Sequence, residues 1–221
     1  MGKKLVRKIN EDDNAAIGIG VLIVFIAMVL VAGIAASVLV QTSTTLEMQA
    51  LKTGSQTIDE VASGIMVEGI EGFNSSGSII RLALELKPRA GSPDIDLANT
   101  VVELSDAQTK YVLEYDSSTF TLSNDTDGDI FANGNYPVGT GTTAARTTFG
   151  IIVLQDADDS CTSGNPVINF GDHVILAIGD AFSGISPRTD VFGQVIAEEG
   201  SPGIVGFRTP ESYTEDVLEL Q

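Results

Sequence analysis

The sequence predicts an α+β chain, in which a long N-terminal hydrophobic α-helix is followed by an antiparallel β-sandwich. Three observations carry that expectation. Residues 15–46 contain no charged side chain. Past residue 78 the apolar positions switch to strict alternation, with Ile80, Leu82, Leu84 and Leu86 set between Arg81, Ala83, Glu85 and Lys87. Beyond that, clusters of Gly, Asp, Asn, Ser and Pro separate short apolar runs, as turns separate strands.

The chain opens with Lys3, Lys4, Arg7 and Lys8, then Glu11-Asp12-Asp13, all ahead of the apolar run. Positive charge on this side predicts that the first residues stay cytoplasmic and that the bulk of the chain lies outside. Residues 1–15 form a polar segment that precedes the apolar run. An ordinary secretory signal would be cut after the apolar core, where Ala35-Ala36-Ser37 would serve as the exit.

The apolar run is long enough to cross a bilayer, because about 20 residues at about 1.5 Å each cover a hydrocarbon core of about 30 Å. Val21, Leu22, Phe25, Met28, Leu30, Ala36 and Leu39 leave no polar face, so this helix must be buried all round, in lipid or among other copies of itself. Small residues at Ala32, Gly33, Ala35 and Ala36 allow neighbouring helices to approach closely. Leu46, Ala50, Ile58, Val61, Ala62 and Ile65 then recur at helical spacing. The helix is expected over 16–68, a rod of about 75 Å. Residues 69–77, rich in Gly and Ser, read as a linker.

Residues 78–221 read as the outer domain, large enough to bury its own core. Strands are expected at 100–104, 111–115, 119–122, 149–154, 173–178, 191–197 and 204–209, whereas 122–147 shows no pattern and reads as a surface insertion.

Gly18-Ile-Gly20, the apolar run 21–40 and the following Gln41-Thr42 closely resemble the N-terminus of archaeal flagellins, or archaellins, of the type-IV-pilin-like superfamily. The resemblance implies that residues 1–15 are a leader, removed by a prepilin peptidase just before the helix. The cut would fall after Ala15, with Ala16 as the new N-terminus and Gly18 at the third mature position. The family pattern has Gly before the cut and Lys or Arg just upstream; here Asp13, Asn14 and Ala15 stand there. Leu86 to Leu97, Phe170 to Leu176 and the end from Phe207 likewise resemble the archaellin outer domain, which implies an immunoglobulin-like sandwich.

The resemblance implies a structural subunit of the archaellum, an extracellular filament for swimming on an archaeal cell surface. Val21, Leu22, Phe25, Met28, Leu30, Gly33, Ala36 and Leu39 would form the filament core. The partners would be further copies in a helical homopolymer, other archaellins, the peptidase and an ATP-driven assembly platform, with the precursor held in the cytoplasmic membrane. An adhesive type-IV-like pilin or a monomeric membrane-anchored β-sandwich binding protein would share this topology.

Charge and motifs narrow the remaining functions. With 12 cations against 30 anions the formal net charge is −18, which argues against nucleic acid as a partner and fits either a soluble, self-repelling surface or one adapted to abundant cations. Asp125, Asp127 and Asp129, with Gly128 between the last two, form part of a calcium loop. Ser123 and Gly134 stand where an EF-hand needs its first Asp and its bidentate Glu, so Ca²⁺ is a candidate ligand only and no cofactor is required. Asp156-Ala-Asp-Asp159 is a weaker acidic turn. Asn74-Ser-Ser76 and Asn124-Asp-Thr126 are N-glycosylation sequons. Catalysis finds no support: His173 is the sole histidine, no Gly-x-Ser-x-Gly elbow occurs, and Gly139-x-Gly-x-x-Ala144 lacks the strand before and helix after that a dinucleotide loop needs. The lone Cys161 excludes an intrachain disulfide and is expected as a small buried or partly exposed thiol.

Overall fold

The computed structural model describes residues 2–137 and 143–221, with the side chains of 2–16, 133, 144 and 145 outside that description. The chain divides into two compact units, Met1–Ser55 and Gln56–Gln221.

Helix α1 spans Gly2–Ala62 without a break in its secondary structure. Lipid offers the backbone no hydrogen-bond partners, and a helix satisfies its own, which overrides the modest helix preference of the many Val and Ile residues. Where the apolar run gives way to the amphipathic half, Thr42, Thr44 and Thr45 donate their hydroxyls to the carbonyls of Leu39, Val40 and Gln41 at 3.0, 2.9 and 2.9 Å. That back-bonding hides three polar groups that an apolar surrounding would otherwise leave unpaired.

The helix ends at Ala62, six residues before the expected limit, and the linker expected at 69–77 is part of a strand. Gly64 lies against Ser201, where an added Cβ would come within 2.6 Å of the Ser201 carbonyl oxygen. Ile65 donates its N–H to that same oxygen at 3.2 Å. From there β1 (Ile65–Ser75) pairs antiparallel with β2 (Ser78–Pro88). The hairpin turns on Ser76 and Gly77 alone, both with positive φ, as a two-residue type I′ connection requires. Gly72, read as a linker signal, is instead a close-packing position facing Leu220 and Ile79.

Ten further strands follow: β3 (Ile95–Asp96), β4 (Val101–Ser105), β5 (Lys110–Leu122), β6 (Thr148–Gln155), β7 (Cys161–Thr162), β8 (Asn165–Ile168), β9 (His173–Ile178), β10 (Asp190–Ile196), β11 (Gly203–Arg208) and β12 (Val217–Glu219). Seven of them join β1 and β2 in one nine-stranded sheet in the order β11-β10-β4-β5-β6-β9-β2-β1-β12, and β3-β8-β7 form a second. The two strands expected at 111–115 and 119–122 are one strand, β5, with a register shift between Tyr115 and Phe120.

The sandwich is mostly antiparallel, with one departure: β5 and β6 pair parallel. Parallel neighbours need a connection of a dozen residues or more to bring the chain back to the starting edge. The patternless segment between Leu122 and Thr148 is that connection. It is more than surface decoration, because Phe131 and Tyr136 are 3 % and 2 % exposed and pack over Ala83, Ile152, Ile175 and Ala177 on the back of the sheet. Arg81 lies over the rings of Phe73 and Tyr136, 5.5 and 5.6 Å from their centroids, and donates to the Phe131 carbonyl. The main core lies on the opposite face, where Leu82, Leu84 and Leu86 meet Val102, Leu104, Leu113, Phe149, Ile151, Val174, Leu176 and Ile178.

Candidate functional site

The apolar half of α1 is the feature that calls for a function. Sixteen large apolar side chains between Ile17 and Val40 are solvent-exposed within a single chain, among them Val21, Leu22, Phe25, Met28, Leu30 and Leu39 at 57–69 %. Full burial of each such side chain is worth about 1.5–3 kcal/mol, so covering the helix releases tens of kcal/mol. Apolar residues occupy every face, which suits a helix surrounded by partners better than one laid on a surface. The stretch is also long and apolar enough to cross a membrane. An added Cβ at Gly33 would meet no atom within 4 Å. Gly18 is described and equally open; the side chains of Ala15 and Ala16, at the expected cut, lie outside the described residues.

The outer domain carries the remaining candidates. Asn124 is exposed in a 3₁₀ turn over Ser123–Asp125, while the Thr126 hydroxyl of its sequon is buried and donates to the Ser123 carbonyl at 2.8 Å. Asn74 is half-buried at the hairpin, its amide donating to the Glu215 carbonyl at 3.3 Å and its oxygen accepting from Gly77 N–H at 3.1 Å.

Asp125, Asp127 and Asp129 do not gather into a ligand set. Asp129 accepts from Phe131 N–H at 2.9 Å and so braces the connection. Among the described residues, potential metal-ligating groups converge at two other places, Asp156 with Asp158 and Asp172, and Glu68 with Glu85 and His173. The first is saturated by its own loop: Asp172 accepts from Ala157 and Asn169 N–H, Asp156 from Asp158, Ser160 and Cys161 N–H, and Asp158 from Ser160 N–H and the Asn169 amide. Hydrogen bonds from Ser160 and Asn169 hold the Asp158 carboxyl below its usual range. Cys161 is buried and free. Burial, then the charges of Asp156 and Asp172, push its thiol up to about 12, which removes the thiolate needed for reactivity.

The second cluster was not legible in the sequence, because its members are 17 and 88 residues apart and one of them is positioned by a β-bulge. Glu68 is the extra residue between the paired Val67 and Gly69, so Glu68 and Gly69 both project to the face that carries Glu85. Lys87 pairs with Glu68 Oε1 and holds that carboxyl below its usual range. The lone histidine was the one available signal. The Gly139 and Gly141 of the false dinucleotide motif lie outside the described residues.

Comparison with known proteins agrees with both units. The sequence matches the archaeal-type flagellin family over residues 15–207. It is similar to flagellin B2 of Methanocaldococcus jannaschii, 43 % identical over 96 % of this chain and 97 % of the relative. It is similar also to flagellin B3 of Thermococcus kodakarensis, 40 % identical over 94 % and 98 %. Among solved structures, archaeal flagellin FlaB1 of M. jannaschii superposes with a TM-score of 0.62 at 35 % identity, over 72 % of this chain and 98 % of that one. The archaeal flagellum of Methanospirillum hungatei shares the fold, with a TM-score of 0.61 at 14 % identity over 91 % and 98 %. An N-terminal helix with an uninterrupted apolar stretch, followed in the chain by this sandwich, together with matches over nearly the whole length, makes the chain a member of the archaeal-type flagellin family.

Proposed function

We propose that the chain is a structural subunit of the archaellum filament, with no catalytic role, and that it polymerises through α1. The observation that carries this reading is the apolar helix, exposed on every face within one chain. In the precursor that surface is covered by the cytoplasmic membrane. After the leader is cut near Ala15, an assembly platform draws the helix out of lipid, and apolar burial against identical neighbours, at about 25 cal/mol per Å², favours the polymer. Val21, Leu22, Phe25, Met28, Leu30, Gly33, Ala36 and Leu39 form the filament core, and the sandwich faces the outside. Assembly driven by apolar burial asks for no cofactor. Asn124, and with it Asn74, are the glycan acceptors, Asn124 being the more exposed.

Electron microscopy of material sheared from the cells tests the reading, combined with deletion of the gene. Filaments of this chain, and loss of swimming on its deletion, are expected. A chain that stays with the membranes would point to the anchored binding protein, and filaments whose loss leaves swimming intact would point to an adhesive pilus. N-terminal analysis of the exported chain is expected to find Ala16; a start near Ser37 would contradict the processing.

A further inference from the structure

Phe131 and Tyr136 of the long connection cover the back of the sheet over β2, β6 and β9. The outward face of β4, β5, β10 and β11 is open instead, and Phe192, Ile204, Val112 and Ile196 on it are 52, 73, 48 and 36 % exposed. Register places these residues on one side. Phe192 stands opposite Gly206 and Ser105, Gln194 opposite Ile204 and Glu103, Glu103 opposite Val112, and Val101 opposite both Ile196 and Glu114. Cross-strand partners share a face, while Val102, Leu113, Val195 and Val205 between them point into the core.

This apolar face is also nearly balanced in charge. Its two cations pair with two of its three anions: Lys110 Nζ lies 2.8 Å from Glu103 Oε2, and Arg208 Nε lies 3.6 Å from Asp190 Oδ1. Glu114 is exposed and has no ion pair among the described residues. In a chain where eight cations stand against 27 anions after residue 15, a second acidic copy meets little repulsion here.

A counterpart lies on elements that the face does not use. A groove of about 690 Å³ is lined by Met66 of β1, Pro88 of β2, Arg89 and Ala90 just after it, and Phe170 in the β8–β9 turn. Phe170 is 83 % exposed. Lys87, also in the lining, pairs with Glu68, whereas Arg89 is exposed and has no ion pair among the described residues. The carboxylate in the lining, Asp172, is buried and accepts from Ala157 and Asn169 N–H. A second groove, among Asp59, Glu60, Glu198 and Glu199, is acidic and would repel Glu114.

Given the filament role proposed above, on which this inference rests, we propose that the outward face of β4, β5, β10 and β11 docks into the Met66–Phe170 groove of a second copy of this chain. Phe192 sits among the apolar side chains of the groove, and Glu114 faces Arg89 of the neighbouring copy. An aromatic anchor in a pocket with charge at the rim is the usual make-up of a specific interface. Because two different surfaces meet, the contact is head-to-tail and repeats along an open polymer, whereas a face that meets itself stops at a dimer.

Charge swaps in the full-length exported chain test the contact, with sheared filaments heated in about 0.1 M salt and followed by light scattering. Arg89→Glu and Glu114→Arg each set like charges across the contact and are expected to lower the dissociation temperature; the double variant is expected to restore it. Glu114→Arg is the sharper arm, because it makes the domain less acidic and general repulsion alone would raise that temperature. Phe192→Asp is expected to lower it further. Glu114→Arg filaments as heat-stable as the unaltered ones, or a double variant no more stable than the singles, would overturn the docking while leaving the filament role intact. Failure of the unaltered chain to form filaments would overturn both. Should the variants fail to fold, a cryo-electron microscopy map of unaltered filaments decides: Phe192 is expected within about 4 Å of Met66 or Phe170 of the neighbouring copy, and Phe192 facing solvent would overturn the assignment.

Discussion

Gly193 of β10 lies directly against β4, where an added Cβ would overlap the carbonyl of Glu103. Gly193→Ala is therefore expected to force the two strands apart and to lower stability by about 1–3 kcal/mol in a denaturant melt. On the β1–β12 pair, Glu71 and Glu219 are direct cross-strand partners. Burial, then the charges of Glu85 and Glu219, raise the Glu71 carboxyl above its ordinary value. A carboxyl whose folded value is raised binds more protons folded than unfolded across that interval, so this contribution falls as pH rises from about 4.5 through the folded value. Glu219→Lys replaces a repulsion with an attraction and is expected to stabilise the domain at neutral pH by about 0.2–1 kcal/mol, an increment that shrinks in 1 M salt. Neither position stood out in the sequence, and Glu68, Glu85 and His173 did not either, because proximity there depends on register and on a bulge.

The apolar half of α1 was legible from composition alone, since no folding detail alters where 32 uncharged residues in succession can go. Its C-terminal boundary was not. Ile65 continued the spacing of Ile58 and Val61 by coincidence; Ile65 is fully buried in a strand, whereas Val61 is 79 % exposed on the helix. Strand β2 was readable from its alternation, and β9 from a short continuous apolar run that is buried on both faces. The parallel β5–β6 pair was hidden because a long connection without periodicity gives no sign of where it returns. Gly33→Leu belongs to this scale. Leu favours a helix over Gly by nearly 1 kcal/mol and meets open space in the single chain. The substitution is thus expected to leave helix and export intact yet abolish filaments, as immunoblots of membranes and shear fractions would show. Normal filaments would refute close packing at this position.

The whole molecule joins a helix whose residues 15–46 are uncharged to a domain that is strongly acidic. After residue 15 eight cations stand against 27 anions, so identical outer domains brought together repel one another. Screening shortens the reach of that repulsion from about 10 Å at 0.1 M salt to about 3 Å at 1 M. Filaments are therefore expected to dissociate at a higher temperature as salt rises, measured by light scattering on heating; a melting point independent of salt would show that the acidic faces do not approach each other. The central claim is that the helix exchanges lipid for other copies of itself. A helical reconstruction of sheared filaments by cryo-electron microscopy tests it most directly. The account predicts that residues 21–40 of neighbouring subunits pack together on the filament axis with the sandwiches outside. Filaments held together by sandwich contacts alone, with these residues absent from the interior, would contradict it.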